Sequence, residues 1–237
     1  MALDRALLDL ARTGATVLRL YRWNPSCLSF GRHEPALRRY DRDRITALGL
    51  DTVRRPTGGR AVWHAGELTY AFAAPAEPLG SLGDAYHTIH GILADAVRRL
   101  GAAAALATDD HRASALDTGA CFAAPVGGEV MVGDRKVVGS AQLRHEAALL
   151  QHGSLLLSGD QGVVGRVSRG EPAPGVEAGL EAVLGRSVAF AEAAEAVAAA
   201  AERWQPGWRR AEDPGPFLAG AAAHEPLFRS DDWTWRR

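Results

Sequence analysis

Arg54-Arg55-Pro56-Thr57-Gly58-Gly59-Arg60-Ala61-Val62-Trp63-His64 places a polar, glycine-paired turn between two apolar runs, Gly49 to Val53 and Ala61 to Trp63. Gly58 and Gly59 are expected to supply positive φ angles and to leave no Cβ in the way of a ligand approaching the backbone. Three guanidinium groups flank that bare backbone, and arginine forks suit carboxylates, phosphates or acyl-carrier headgroups. An ordinary hairpin connection with solvated arginines gives the same spacing, so spacing alone leaves both readings open.

Composition sets the outer bounds. The chain has 237 residues and is 47% hydrophobic, enough for a sizeable core in one large domain or two small ones. Lys+Arg number 27 against 28 Asp+Glu, for a net charge of -1, so no bulk electrostatic argument favours nucleic acid or an anionic membrane. No apolar run approaches the ~20 residues that span a bilayer. Met1-Ala2-Leu3-Asp4-Arg5 carries an acid and enters a helical pattern, unlike a signal peptide. Cys27 and Cys121 are the two cysteines, which argues for a reduced, cytoplasmic protein rather than a disulfide scaffold.

Along the chain, Leu3, Leu7, Leu10 and Ala11 mark a first amphipathic helix, ended by Gly14. Ala15 to Trp23 reads as a strand, Asn24-Pro25-Ser26 breaks it, and Cys27 to Gly31 resumes an extended course. Tyr40 to Leu48 reads as helix, and Asp51 to Arg54 and Ala61 to His64 as strands about the opening turn. In the strand Glu67 to Ala74, Leu68, Tyr70 and Phe72 share one face. Asp84 to Leu100 is the clearest helix, with Ala85, Ile89, Ile92, Leu93, Ala96, Val97 and Leu100 on one side at a 3.6-residue period.

His111 to Gly119 reads as a loop, and Glu129 to Val138 as a hairpin turning at Gly133-Asp134. Leu149 to Leu157 reads as a strand interrupted at His152-Gly153, and Gly175 to Leu184 and Val188 to Trp204 as helices. From about residue 206 the Pro- and Trp-rich tail reads as irregular. Strands and helices mix without regular βαβ alternation, which predicts α+β.

Cys121 lies among small residues in Gly119-Ala120-Cys121-Phe122-Ala123, and Lys136 follows fifteen residues later. A nearby ammonium favours the reactive thiolate, so the pair suits acyl transfer through a thioester. A buried, inert Cys121 and a solvated Lys136 account for the same residues more simply, and on the residues alone that reading is preferred. His87-x-x-His90 lacks further metal-ligand partners and reads as surface or helix-flank histidines, and no metal site is expected. His145 and His152 could face the Lys136 region. There is no G-x-S-x-G elbow, Walker-type loop or G-x-G-x-x-G.

The opening motif, followed by Glu67-Leu68-Thr69-Tyr70, resembles the signature of the lipoate–protein ligase and octanoyltransferase superfamily. Gly133-Asp134-Arg135-Lys136-Val137-Val138-Gly139-Ser140-Ala141-Gln142 resembles its lysine-bearing second motif, and Leu150-Gln151-His152-Gly153-Ser154-Leu155-Leu156-Leu157 its third. The three blocks stand in the family's order. The resemblance implies a single biotin/lipoate protein ligase-like catalytic domain over residues 1–237, a mixed, mainly antiparallel sheet flanked by helices.

Ala120-Cys121-Phe122 ahead of the lysine motif is most similar to the branch that loads octanoate onto the glycine-cleavage H protein. That likeness implies Cys121 as nucleophile and Lys136 as its catalytic partner, with octanoyl-acyl carrier protein as donor, a lipoyl-acceptor protein as recipient, and no cofactor. It implies an acyl pocket shaped by Arg55, Thr57, Gly58, Gly59, Arg60, Ala61, His64, Gly139, Ser140, Ala141, His152 and Gly153, with Arg55 and His64 at its mouth. The family's other chemistry, ATP- and magnesium-dependent loading of free lipoate, is the alternative. Ala65 stands where an acid commonly follows the motif histidine, and the run Arg144-His145-Glu146 also departs from the pattern.

Overall fold

A computed structural model of the chain describes residues 1–108, 127–170 and 177–236. Its strands are β1 (Val17–Tyr21), β2 (Cys27–Phe30), β3 (Asp51–Arg54), β4 (Val62–His64) and β5 (Glu67–Pro75), then β6 (Ala104–Leu106), β7 (Val130–Val132), β8 (Arg135–Lys136), β9 (Val138–His145) and β10 (Ala148–Leu156). They form an antiparallel sheet in the order β1-β5-β10-β9 and two smaller sheets, β3-β2-β4 and β6-β7-β8. Helices cover both faces of the large sheet, so the class is α+β as the pattern predicts.

The alternation in β5 decides how that sheet is packed. Leu68, Tyr70, Phe72 and Ala74 enter the main core with Ile89, Leu93 and Val97 of helix Leu82–Arg99 and Val197 and Ala201 of helix Phe190–Trp204. The opposite face, through Ala71, Ala73 and Leu150, meets Leu7, Leu8 and Ala11 of helix Ala2–Ala11. Small residues on this second face let the first helix lie close to the sheet, while the bulky face fills the wider space under the long helices. Every residue predicted on the buried side of the long helix is in the main core. That helix starts at Leu82 rather than Asp84, because Ser81 and Asp84 close a reciprocal capping box.

The opening motif joins β3 to β4 without being a hairpin. β3 runs parallel to β2 and β4 antiparallel to it, with β2 between them, so Arg55 to Ala61 crosses over the C-terminal end of β2.

Other expectations need correction. β10 passes unbroken through His152-Gly153, paired to β5 on one side and β9 on the other. A glycine inside a strand reads as a break, yet here it permits close approach: a Cβ on Gly153 would meet the Gly139 carbonyl oxygen at 2.3 Å. The predicted helix Gly175 to Leu184 is reduced to Leu180–Leu184 among the described residues. The tail is not wholly irregular, holding helices Gly215–Ala222, Glu225–Arg229 and Asp231–Thr234. Their prolines sit in the first helical turn, where a missing N–H costs no intrahelical bond. No helix among the described residues is long and apolar enough to cross a membrane.

Candidate functional site

A cleft holding about 330 Å³ of empty space opens between the crossing loop and the large sheet. Seven residues predicted from separate motifs meet around it: Arg55, His64, Gly139, Ser140, Ala141, His152 and Gly153. Met1, Tyr21, Val62, Thr69 and Ser154 complete the wall and were not among the residues predicted for the site. Pairing explains the convergence, since Gly139, Ser140 and Ala141 on β9 face Ser154, Gly153 and His152 on β10.

The arginines behave differently from the expectation. The Arg54 guanidinium is fully buried and donates to the carbonyls of Gly31 (2.6 Å), Glu34 (2.7 Å), Trp233 (2.8 Å), Thr234 (3.0 Å) and Arg236 (3.1 Å). It latches the last helix to the underside of the loop. Arg55 donates to Ser29 Oγ (2.6 Å) and to the carbonyls of Arg60 (2.7 Å) and Gly58 (3.1 Å), bracing the loop from within. Arg55 and His64 therefore belong to the buried wall and not to the mouth, with 4% of each exposed. Of the two loop glycines Gly59 alone has a positive φ, +88°, and its carbonyl lies where a Cβ on Gly31 would stand. Thr57, Gly58, Gly59, Arg60 and Ala61 form the loop behind the wall, and Thr57 reaches it through His152.

Two buried histidines are held by carboxylates. His64 Nδ1 bonds Glu67 Oε1 at 2.8 Å and its Nε2 meets Ser29 Oγ at 2.6 Å. The Glu67 carboxylate accepts, so Nδ1 carries a proton. Trp23 stacks on the ring with centroids 4.8 Å apart. Glu67, three residues on, supplies the acid that Ala65 cannot. His152 Nδ1 bonds Asp4 at 2.9 Å and its Nε2 meets Thr57 Oγ1 at 2.6 Å. Burial pushes the His152 pKa down, against the pull of the Asp4 carboxylate. Asp4 was legible only as an acid near the N-terminus; its position one turn before Leu7 and Leu8 places it on the buried side of the first helix.

Lys136 is buried, at the end of β8, with its ammonium on the Glu129 carboxylate. It is the single lysine among 27 Lys+Arg, a signal in the sequence that sets it apart from a generic surface cation. A buried ion pair is costly to desolvate, so an amine kept at this place points to chemistry more than to stability. Cys121 lies outside the described residues, as does the predicted loop His111 to Gly119. Cys27 is a buried thiol whose pKa burial pushes up to about 12, which keeps it protonated and inert.

The predicted histidine pair is split. His87 is on the exposed side of the long helix, while His90 is fully buried, contrary to the surface reading, and bonds the Gly128 carbonyl (2.7 Å) and Ser140 Oγ (2.7 Å). His145 sits at the far end of β9, opposite Ala148 and away from the cleft.

The model of the lipoyl protein ligase A/B catalytic domain matches residues 1–202. An octanoyltransferase LipM from Exiguobacterium sibiricum is 34% identical over all of this chain and 94% of its own length. Another from Symbiobacterium thermophilum is 38% identical over 84% of this chain and 79% of its own. Among solved structures, a lipoate-protein ligase A bound with ATP superposes with a TM-score of 0.82 over 99% of this chain and 92% of that one, at 20% identity. A bipartite lipoate protein ligase from Thermoplasma acidophilum, studied with its E2 lipoyl domain, gives 0.76 over 99% of this chain and 91% of that one, at 18% identity. The chain belongs to the lipoyl protein ligase A/B catalytic domain family.

Proposed function

We propose that this chain is an octanoyltransferase of protein lipoylation. It takes octanoate from acyl carrier protein onto Cys121 and passes it to a lysine of a lipoyl-acceptor protein, such as glycine-cleavage H protein, in the cytoplasm and without metal or nucleotide. The observation that carries the reading is the character of the cleft. Arg55, His64, Thr69, Ser140 and His152 make it polar in composition, yet each makes side-chain hydrogen bonds to residues behind the wall. An alkyl chain entering such a pocket displaces water without stranding those groups. The relatives named as octanoyltransferases support the same reading.

In the first step the Cys121 thiolate attacks the octanoyl thioester carbonyl. A new C–S bond forms, the carrier's C–S bond breaks, and the carrier sulfur leaves as a thiol by taking the proton that Cys121 gave up on ionising. The acceptor's lysine amine then attacks the acyl-enzyme, forming the amide C–N bond and releasing Cys121, to which the amine's proton passes. The Lys136 ammonium favours the thiolate and steadies the oxyanion, an effect that is largest in a dry site. Glu129 holds that ammonium in place.

The test is octanoyl transfer from octanoyl-acyl carrier protein to apo-H protein, with no ATP and with EDTA present. The reading expects transfer, lost in Cys121→Ala and Cys121→Ser. Loading of free octanoate or lipoate that needs ATP and magnesium, survives Cys121→Ala and fails in Lys136→Ala would replace it with the ligase reading.

A further inference from the structure

The proposed reaction leaves His87-x-x-His90 unused, although His90 is among the most buried polar residues of the chain. Its imidazole sits between two segments of the candidate site. Nδ1 meets the carbonyl of Gly128, the residue before Glu129, and Nε2 meets the hydroxyl of Ser140 in the cleft wall, each at 2.7 Å. A carbonyl can only accept, so Nδ1 carries the proton and Nε2 accepts from Ser140. The hydroxyl of Tyr70 then donates to Ser140 (2.6 Å) and accepts from Gln151 Nε2 (2.8 Å). Gln142 Nε2 donates to Gln151 Oε1 at 2.8 Å and completes the line.

Every bond in this line runs one way, from Gln142 to the Gly128 carbonyl. Burial lowers the His90 pKa to about 3, which keeps the ring neutral and the direction fixed. The Ser140 proton is thereby turned away from the cleft, and Ser140 cannot donate it to an acyl oxygen. His87 closes the same segment from the exposed side. Gly128 stands at φ +82°, where a Cβ would meet the His87 ring nitrogen at 3.0 Å. Both histidines of the motif therefore bear on the backbone that presents Glu129 to Lys136.

We propose that His90 is a positioning residue for acyl transfer: it holds Gly128 and Ser140 at a fixed separation, and so fixes the Glu129–Lys136 pair relative to the cleft wall. The inference rests on the octanoyltransferase reading for its catalytic meaning, but its geometry can be tested apart from activity. Lys136 is the single lysine of the sequence, so an amine-reactive succinimidyl ester, followed by peptide mass spectrometry, reports its accessibility without interference from other lysines.

In the folded full-length chain Lys136 is expected to label slowly. His90→Phe removes both bonds and should raise the rate at least about tenfold by loosening the segment locally. His90→Asn retains an N–H that can reach Gly128 and should label within about threefold of wild type. In the transfer assay His90→Phe should lower kcat about 100-fold, the scale of a small misplacement, with KM for octanoyl-acyl carrier protein changed less than about threefold. His90→Asn should recover most of the kcat.

Equal Lys136 labelling in wild type and a folded His90→Phe overturns the inference, whether or not the chain transfers octanoate. A wild type without transfer activity overturns the proposed reaction, while the labelling contrast still decides the role of His90. If circular dichroism shows His90→Phe unfolded, nitrogen-15 NMR of the wild type decides. A neutral Nδ1–H ring at pH 5 agrees with the proposal, and an Nε2–H or doubly protonated ring contradicts it.

Discussion

The two walls of the cleft are built by opposite means. The loop wall, Arg55 backed by Thr57 to Ala61, has irregular backbone and is held by arginine forks donating to carbonyls that its own strands cannot satisfy. The sheet wall, β9 against β10, satisfies its backbone by pairing and needs small residues so that the strands leave room. The first wall is fixed by side chains that bond backbone carbonyls, and the second by side chains that are absent. Mutations should therefore damage the loop wall by removing a brace and the sheet wall by adding an atom.

The largest effect is expected where the loop is latched to the tail. Arg54→Ala strands a cluster of buried carbonyls and should cost about 3 kcal/mol or more, roughly 6–12 °C in Tm for a chain of this size. Arg54→Lys should rescue little, because one ammonium cannot reproduce the fork, and thermal melts of both variants check this. Next comes Gly153→Ala in the sheet wall. Its Cβ would meet Gly139 O at 2.3 Å and Ser140 Oγ at 2.6 Å, for a cost of about 1–3 kcal/mol from overpacking. Competition between octanoyl and shorter acyl donors should then shift toward the shorter chain, and unchanged selectivity would remove Gly153 from the acyl site.

Acid should weaken both walls through their neutral histidines. His90 has a folded pKa of about 3 against about 6.5 when unfolded, so between those values the unfolded chain binds the extra proton. Its contribution is present above pH ~6.5 and is lost on acidification by up to about 1.4 kcal/mol per pH unit. His152, also lowered by burial, adds in the same direction. Urea melts between pH 7.5 and 5 should show falling stability, with a shallower slope in a folded His90→Asn. The smallest contrast lies within the loop. Gly59→Ala, at φ +88°, should cost about 1 kcal/mol, whereas Gly58→Ala, with no atom within 4 Å of its new Cβ, should stay within about 0.5 kcal/mol.

Local patterns were legible wherever one element carries its own signal. The alternation of Leu68, Tyr70 and Phe72 and the apolar side of the long helix both name the faces that pack. The three motifs named seven of the residues around the cleft, because each motif contributes residues to one of its two walls. What stayed hidden depends on partners distant in sequence. The Arg54 fork is satisfied by carbonyls about 20 and 180 residues away, so its spacing resembles that of a solvated cation. Asp4 and His152 meet across 148 residues. His90 looked like a surface histidine because its ligands, Gly128 and Ser140, belong to other elements. The tail helices are short, and tertiary contacts such as His224 to Asp9 at 2.7 Å hold them where local propensity does not.

The central claim, an acyl group carried on Cys121, is tested most directly by intact-mass analysis of the chain mixed with octanoyl-acyl carrier protein in the absence of ATP. The account predicts a mass gain of one octanoyl group, released by hydroxylamine, mapped to Cys121 and absent in Cys121→Ser. No adduct, or an adduct that persists in Cys121→Ser, would contradict it.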